Sequence, residues 1–363
     1  FGLTTSQFSS LFTAPMIVAI FLSFVGGMIS DKVGSKKVIN ISFVIAGIGM
    51  IGRVFANSYM PFFLCMGLTG FSNMFVNINA SKITASWFEQ EKLGILMGIF
   101  AFCGQLPGAF ATATTAVLFD SRTSAFIVSA IFCISVFVLW LLFVKDRPED
   151  TMEEREKIDQ ENQPSIGDSL KVVLSNKGIW LVSICIMMIL GSTVTLSTFM
   201  PVALQTMYGI DLKVCGTIAS MLTLGNCIGS ITGPIVFSKI KNVKVFVSGA
   251  AVLSFAGIIM CWRFPSIFVL HILVLYTGIV LGASMPIFLS APVLLEGLGT
   301  KYAGSAAGVI STLQLLGAVL IPTYILTPIA GENYSLLFML ASICMVIMFL
   351  CGLLLPQFGN NQK

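Results

Sequence analysis

Long apolar segments, separated by short polar or glycine- and proline-containing turns, run the length of the chain. Each is about 18 residues or longer, which as an α-helix is enough to cross about 30 Å of hydrocarbon. The pattern predicts eleven membrane-spanning helices and an all-α polytopic membrane protein. The predicted spans are residues 8–30, 37–56, 61–84, 94–118, 124–144, 178–205, 214–237, 244–262, 266–290, 303–328 and 334–355.

One long polar segment, residues 145–171, interrupts this pattern and separates five spans from six. Its proline, glutamate and glutamine content is typical of a solvated linker, with a short helix at 151–160. The domain boundaries that follow are an N-terminal transmembrane bundle at 1–144, a cytoplasmic central loop at 145–177 and a C-terminal transmembrane bundle at 178–363. We expect the N-terminal bundle to lack its first helix.

Composition supports the membrane assignment and excludes other classes. Hydrophobic residues make up 56% of the chain and charged residues 10%, with a mean hydropathy of +0.96, whereas soluble domains carry about a quarter charged residues. The nine cysteines lie inside apolar segments without CxxC or metal-ligand spacing, which favours packing over a metal site. Nucleotide-binding and nucleophile motifs are absent from the sequence, so we expect no enzyme, no cofactor, no metal and no nucleic-acid partner.

The distribution of basic residues predicts the orientation. If residues 31–37 are cytoplasmic and each span reverses the side, sixteen of the 20 Lys and Arg residues are cytoplasmic and four are external. This excess agrees with the positive-inside rule and predicts an external N-terminus and a cytoplasmic C-terminus. An integral protein of the plasma membrane, the inner membrane in a bacterium, is therefore expected.

Two pairs of similar segments indicate an internal repeat. "GGMISDKVGSKK" at 26–37 is similar to "GPIVFSKIKNVK" at 233–244, and "GILMGIFAFCGQLPG" at 94–108 to "GSAAGVISTLQLLGA" at 304–318. Similar order in both halves predicts parallel six-helix repeats related by a pseudo-two-fold axis along the membrane normal. Because only five spans are found in the first half, a further span is expected before Phe1.

These features together resemble the major facilitator superfamily over the whole chain. The loop between the second and third helices of that family typically reads G-x-x-x-D-[RK]-x-G-[RK]-[RK]. Gly27, Asp31, Lys32 and Gly34 match it, Ser35 replaces one basic residue, and Lys36 and Lys37 follow. The resemblance implies a transporter with two six-helix bundles that works by alternating access.

Within the superfamily, "IGRVFANS", "WFEQEKLGILMGIF" and "MLTLGNCIGSITGP" are similar to the cyanate and nitroimidazole permease-like branch, and related segments occur in organic anion symporters. That branch usually has a proline and a basic residue where this chain has Ser81 and Ala85. The difference argues against an anionic substrate.

The motif residues are candidates for a conformational gate: Gly27, Asp31, Lys32, Gly34, Lys36 and Lys37. By the resemblance, Asp31 faces the start of a helix in the other half, where free N–H groups stabilise a carboxylate. Such a contact, made when the cytoplasmic side is closed, would favour the outward-open state. Lys32, Lys36 and Lys37 can pair with Asp31 or with anionic lipid headgroups. The alternative is that these lysines only set the topology.

Neutral polar residues near mid-membrane are the candidates for substrate binding. Asn73 and Asn77 are one helical turn apart on one face, and their amides provide donors and acceptors. The remaining candidates are Gln105, Gln314, Asn226 and the single histidine, His271. The alternative for Asn73 and Asn77 is interhelical packing, and for His271 it is a hydrogen-bonded structural role. Lys82, near a cytoplasmic span end, is expected to extend to the interface.

The sequence predicts a secondary transporter, coupled to protons or another ion or working by exchange, for a small organic solute or monovalent anion. It would work as a monomer among membrane lipids by a rocker-switch mechanism. Two alternatives stay open at this point: efflux of lipophilic drugs, and a non-transporting membrane sensor on the same fold.

Overall fold

The computed structural model describes residues 5–118, 121–144 and 166–358, and these ranges contain helices and turns without a β-strand. Thirteen α-helices lie in them: α1 Thr5–Val33, α2 Ser35–Phe55, α3 Tyr59–Trp87, α4 Leu93–Leu118, α5 Arg122–Phe143, α6 Ile166–Ser175, α7 Lys177–Tyr208, α8 Leu212–Ile240, α9 Val243–Met260, α10 Ile267–Leu294, α11 Ala303–Val319, α12 Thr327–Ala330 and α13 Tyr334–Leu354. A π-helical segment, Leu320–Leu326, joins α11 to α12.

Each predicted span corresponds to a helix at nearly the same position. Nine helices in the described ranges are long and apolar enough to cross a membrane, and a tenth is added if Ala14–Ser23 and Val25–Val33, bent by 61° within α1, form one span. The apolar part of α4, Leu93–Pro107, is shorter. The all-α polytopic architecture is confirmed, while the predicted linker helix at 151–160 lies outside the described residues.

Helix ends follow local sequence signals. Asn176 Oδ1 accepts a hydrogen bond from the Gly178 N–H at 2.9 Å at the start of α7, and Asn333 Oδ1 accepts one from the Leu336 N–H at 3.0 Å before α13. Such caps satisfy N–H groups that lack a partner in the first turn. At the other end of α7, Gly209 has a φ of 64°, the left-handed conformation that glycine adopts without strain.

The chain divides into two compact units. Unit 1 comprises 1–88, 110–175 and 298–312, and unit 2 comprises 89–109, 176–297 and 313–363. The first ten residues of α11 therefore belong with α1, α2, α3 and α5, and the first part of α4 belongs with the helices of unit 2. The predicted division at 145–177 falls mainly on residues outside the described ranges and stays a prediction.

Small residues bring the helices of each unit together. In unit 1, a Cβ added to Gly70 of α3 would lie 2.5 Å from the Pro15 carbonyl oxygen of α1. In unit 2, a Cβ on Gly282 of α10 would lie 2.5 Å from the Asn226 carbonyl oxygen of α8. Close backbone approach at small residues is typical of helix packing in membranes. It fixes the relative positions of the polar residues within each unit.

Candidate gate and substrate-binding residues

Asp31 lies in the last turn of α1, two residues before Val33 ends the helix. Gly34 follows with a φ of 96° and ψ of 142°, and α2 begins at Ser35. A residue with a side chain would be strained at this φ, so the motif glycine permits the sharp turn between α1 and α2. The turn leaves Asp31 at the end of α1, beside the first residues of α11.

The Asp31 carboxylate caps the N-terminus of α11. Its Oδ1 accepts a hydrogen bond from the Gly304 N–H at 2.9 Å, and its Oδ2 accepts bonds from the Ser305 N–H at 2.7 Å and the Ser305 hydroxyl at 2.6 Å. These amides belong to the first turn, where no intrahelical acceptor exists. The cap is therefore supplied by a residue 273 positions away from Gly304 along the chain.

The two helices can approach because both carry glycine at the contact. A Cβ on Gly27 of α1 would overlap the Gly304 carbonyl oxygen and lie 3.1 Å from Ser305 Cα. A Cβ on Gly304 would lie 2.5 Å from Asp31 Oδ1. Two glycines thus place the backbone of α11 within hydrogen-bonding distance of the carboxylate.

Lys82 of α3 is the cation at this site. Its Nζ donates to Asp31 Oδ1 at 3.0 Å, and the side chains of Lys82 and Asp31 are 16% and 3% exposed. The expectation that Lys82 extends to the interface is therefore wrong, because a buried carboxylate lies within reach of its ammonium group. Lys32 and Lys37 are exposed, and Lys36 is half-buried.

A second polar contact ties α1 to α3 beside this pair. The Ser30 hydroxyl donates to Asn79 Oδ1, and Asn79 Nδ2 donates to the Phe75 carbonyl at 2.8 Å; both Ser30 and Asn79 are fully buried. The sequence alone does not indicate that Ser305, Asn79 or a paired Lys82 belongs to the gate. Spacing places Ser30, Asp31 and Lys82 near helix ends, but only the packing shows that they meet.

Asn73 and Asn77 form a hydrogen-bonded pair on α3. Asn77 Nδ2 donates to the Asn73 carbonyl at 2.7 Å and to Asn73 Oδ1 at 2.8 Å, and both residues are exposed. Both hydrogens of the Asn77 amide are thereby used. The pair leaves Asn73 Nδ2 as a donor and Asn77 Oδ1 as an acceptor for another molecule.

Gln105 and Asn226 lie in unit 2, on α4 and α8. Gln105 is half-buried, its Nε2 lies 3.5 Å from the Ala101 carbonyl, and its Oε1 lies 4.0 Å from the Cys227 thiol, which are weak contacts. Asn226 is half-buried beside Gly282, and Gln314 is half-buried on α11. The amides of Gln105 and Asn226 lie on neighbouring helices of one unit, whereas Asn73 and Asn77 belong to the other.

His271 links α10 to α8. Its Nδ1 lies 2.8 Å from the Ile267 carbonyl and its Nε2 3.3 Å from the Thr217 hydroxyl. A carbonyl oxygen only accepts, so Nδ1 carries a proton. The Thr217 hydroxyl donates to the Val214 carbonyl at 2.7 Å. Both ring nitrogens of His271 thus lie beside oxygen atoms, one on its own helix and one on α8.

Comparison with known families identifies the architecture. The sequence model described as Major Facilitator Superfamily matches residues 1–322. The chain belongs to the Major Facilitator Superfamily. Members of this superfamily are secondary transporters rather than enzymes, and they bind small-molecule substrates; this member is an integral membrane protein.

Two curated members of the superfamily are similar to this chain over most of its length. It is 23% identical to the galacturonate transporter of Dickeya chrysanthemi over 272 residues, covering 71% of this chain and 79% of that protein. It is also 23% identical to the membrane sensor protein UhpC of Salmonella typhimurium over 339 residues, covering 88% and 76%. The finer resemblance to the cyanate and nitroimidazole permease-like branch stays a prediction.

A solved member of the superfamily has the same fold. The crystal structure of the MFS transporter FucP in the outward conformation superposes with a TM-score of 0.75 at 12% identity, covering 98% of this chain and 92% of that one. The predicted MFS fold is confirmed by this similarity together with the family match.

Proposed function

We propose that this MFS protein moves a small organic solute bearing a single negative charge, of the sugar-acid class, across a bacterial inner membrane. The observation that carries the proposal is the Asn73–Asn77 pair on α3. Its free Asn73 Nδ2 can donate to a carboxylate, and its free Asn77 Oδ1 can accept from a hydroxyl. A galacturonate ion offers both groups, and a relative of this chain is named as its transporter.

Neutral amides suit a weakly charged cargo better than an arginine clamp would. A buried charge in a membrane is costly, so a site of amides keeps this cost low when no substrate is bound. Gln105, Asn226 and Gln314 are proposed to provide further donors and acceptors in unit 2. His271 is proposed to contact the substrate or to carry the coupling proton, because it is the single histidine of the chain and both of its ring nitrogens lie beside oxygen atoms.

Alternating access by a rocker-switch movement is proposed as the mechanism, with the Asp31 contact as its gate. Asp31 is assigned to the cytoplasmic end of α1, as the positive-inside pattern suggests. The capping bonds to Gly304 and Ser305 form when that side is closed and are lost when α11 moves away. Lys32, Lys36 and Lys37 are proposed to face anionic headgroups around a monomeric transporter.

Solute flux into proteoliposomes tests the proposal. Purified protein should exchange radiolabelled D-galacturonate for internal unlabelled D-galacturonate, with D-galactose as the uncharged control. Asn73→Ala should weaken this exchange, while Asn57→Ala, an exposed change in the turn before α3, should leave it unchanged. Exchange of D-galactose alone would contradict the sugar-acid assignment.

A sensor is the second candidate, because one relative over 88% of this chain is named as a membrane sensor protein. A sensor would bind D-galacturonate without carrying it. Saturable binding measured by isothermal titration, with no exchange in the same proteoliposomes, would therefore favour the sensor over the transporter.

A further inference from the structure

The four hydrogen bonds that the Asp31 carboxylate accepts come from donors on two different helices. Three donors, the Gly304 N–H, the Ser305 N–H and the Ser305 hydroxyl, belong to α11. The fourth, Lys82 Nζ, belongs to α3. When α11 leaves, three of the four bonds are lost together, and only the bond to Lys82 can persist.

Other contacts between α1 and α3 keep Lys82 beside Asp31. The Ser30 hydroxyl, one residue before Asp31, bonds to the Asn79 amide, three residues before Lys82. Further along the same helices, the backbone of α1 at Pro15 lies directly against Gly70 of α3. A movement that separates α11 from α1 therefore leaves Asp31 and Lys82 together.

The charge of Lys82 opposes the attraction between Asp31 and α11. The N-terminus of a helix carries a partial positive charge, which attracts a carboxylate and repels an ammonium group. Lys82 Nζ and the Gly304 N–H both contact the same oxygen, Asp31 Oδ1. With Lys82 in place, α11 faces a neutral ion pair rather than a lone anion, and the capping interaction is weaker.

Lys82 also lowers the cost of release. A carboxylate with 3% exposure that lost three donors at once would be an uncompensated charge at a largely buried site. The remaining bond to Lys82 keeps the charge paired after α11 leaves. Both effects, weaker attraction in the closed form and compensation in the open form, favour opening.

We propose that Lys82 is a positioning residue that promotes release of α11 from Asp31, so that the two members of one ion pair act in opposite directions on the gate. Asp31 stabilises the contact with α11, and Lys82 lowers the stability of that contact so that it can break. This inference rests on the proposed gate, but it does not depend on the identity of the substrate.

Hydrogen–deuterium exchange of residues 303–310, measured by mass spectrometry on the full-length protein in nanodiscs, tests this. The amides of Gly304 and Ser305 exchange only when Asp31 releases them. Lys82→Met should slow exchange of this segment by about two- to fivefold, the size of a typical charge–helix interaction. Asp31→Asn, which weakens the capping hydrogen bonds themselves, should accelerate it by about tenfold or more.

Three further variants separate charge from packing. Lys82→Arg keeps the positive charge and should give the wild-type exchange rate. Lys82→Gln keeps a hydrogen-bond donor but not the charge, so it should slow exchange as Lys82→Met does. Lys82→Gln also replaces Lys82→Met in the experiment if the methionine variant folds poorly. Lys244→Met removes an exposed lysine of unit 2 and should change nothing.

The outcomes distinguish the inference from the gate on which it rests. If Asp31→Asn leaves exchange unchanged, Asp31 does not hold α11 and the gate itself is wrong. If Asp31→Asn accelerates exchange but Lys82→Gln also accelerates it or has no effect, the gate stands and the role assigned to Lys82 is overturned. Slower exchange in Lys82→Gln, with rescue by Lys82→Arg, supports it.

Discussion

The carboxylate of Asp31 accepts the backbone N–H of Ser305 at 2.7 Å, across 274 positions of sequence. The bond joins the end of one helix to the beginning of another, and a hydroxyl and a second amide of α11 reinforce it. Hydrogen bonds to a charged group are stronger than neutral ones. This makes the contact a suitable element for stabilising one state of a transporter, and it can be tested by single substitutions.

Replacing Asp31 by Asn should slow D-galacturonate exchange without a large loss of protein. The amide has one acceptor oxygen and places an NH2 group beside donors of α11, which costs about 1–3 kcal/mol in the closed form. A loss of this size shifts the equilibrium between the closed and open forms of the gate about tenfold or more towards the open form. Initial exchange rates in proteoliposomes check it, with Glu332→Gln, an exposed carboxylate, as the control. Unchanged kinetics in Asp31→Asn would contradict a gating role.

A methyl group at Gly27 should force α11 away from α1. The added Cβ would overlap the Gly304 carbonyl, and backbone atoms move less readily than side chains. We expect Gly27→Ala to accelerate hydrogen exchange of residues 303–310 about tenfold, matching about 1–3 kcal/mol of overpacking. Gly47→Ala is the matched control, because a Cβ there meets nothing within 4 Å. Equal exchange in both variants would show that the close approach is dispensable.

Substitution of Asn77 by Ala should raise the KM for D-galacturonate about three- to tenfold with little change in abundance. The variant removes the free acceptor and releases Asn73, a loss of about one hydrogen bond. Asn79→Ala provides the contrast, since Asn79 is buried and bonded to Ser30 between α1 and α3. That variant should lower abundance and thermal stability instead. A fall in abundance without a change in KM for Asn77→Ala would favour a packing role.

His271→Gln should abolish substrate-dependent proton uptake if this histidine carries the coupling proton. Glutamine can donate to one of the two oxygens beside the ring, but it does not take up a proton. Exchange of D-galacturonate at equal pH on both sides should persist. A pH electrode in a lightly buffered proteoliposome suspension measures the uptake, and Thr217→Val tests the neighbouring hydroxyl. Proton uptake that survives His271→Gln would leave only the substrate-contact role.

Much of the fold is predictable because the membrane imposes a strong local rule. Every spanning segment must satisfy its backbone groups internally and present apolar side chains to lipid, so hydropathy alone locates the long helices of the described ranges. The ends of α7 are readable for the same kind of local reason, since Asn176 and Gly209 have the residue types that caps require. The short helix α6 is not predicted because it lies at the edge of a polar segment.

The candidate site is less predictable. The motif indicates Asp31 as a gate residue, and the spacing of Asn73 and Asn77 places them on one face of a helix. Position along the chain assigns Lys82 to the lipid interface, because a lysine near a span end usually extends there. The structure instead places a carboxylate from another helix 3.0 Å from its ammonium group.

The sequence by itself determined that this is an all-helical membrane protein, where its helices lie and which residue types are available near their ends. Periodicity and hydropathy are properties of neighbouring residues, so they are readable along the chain. Only the tertiary structure decided that Asp31, Lys82 and Ser305 form one site. Those residues are brought together by glycine-mediated packing between α1 and α11 and between α1 and α3, and such contacts depend on the three-dimensional path of the chain.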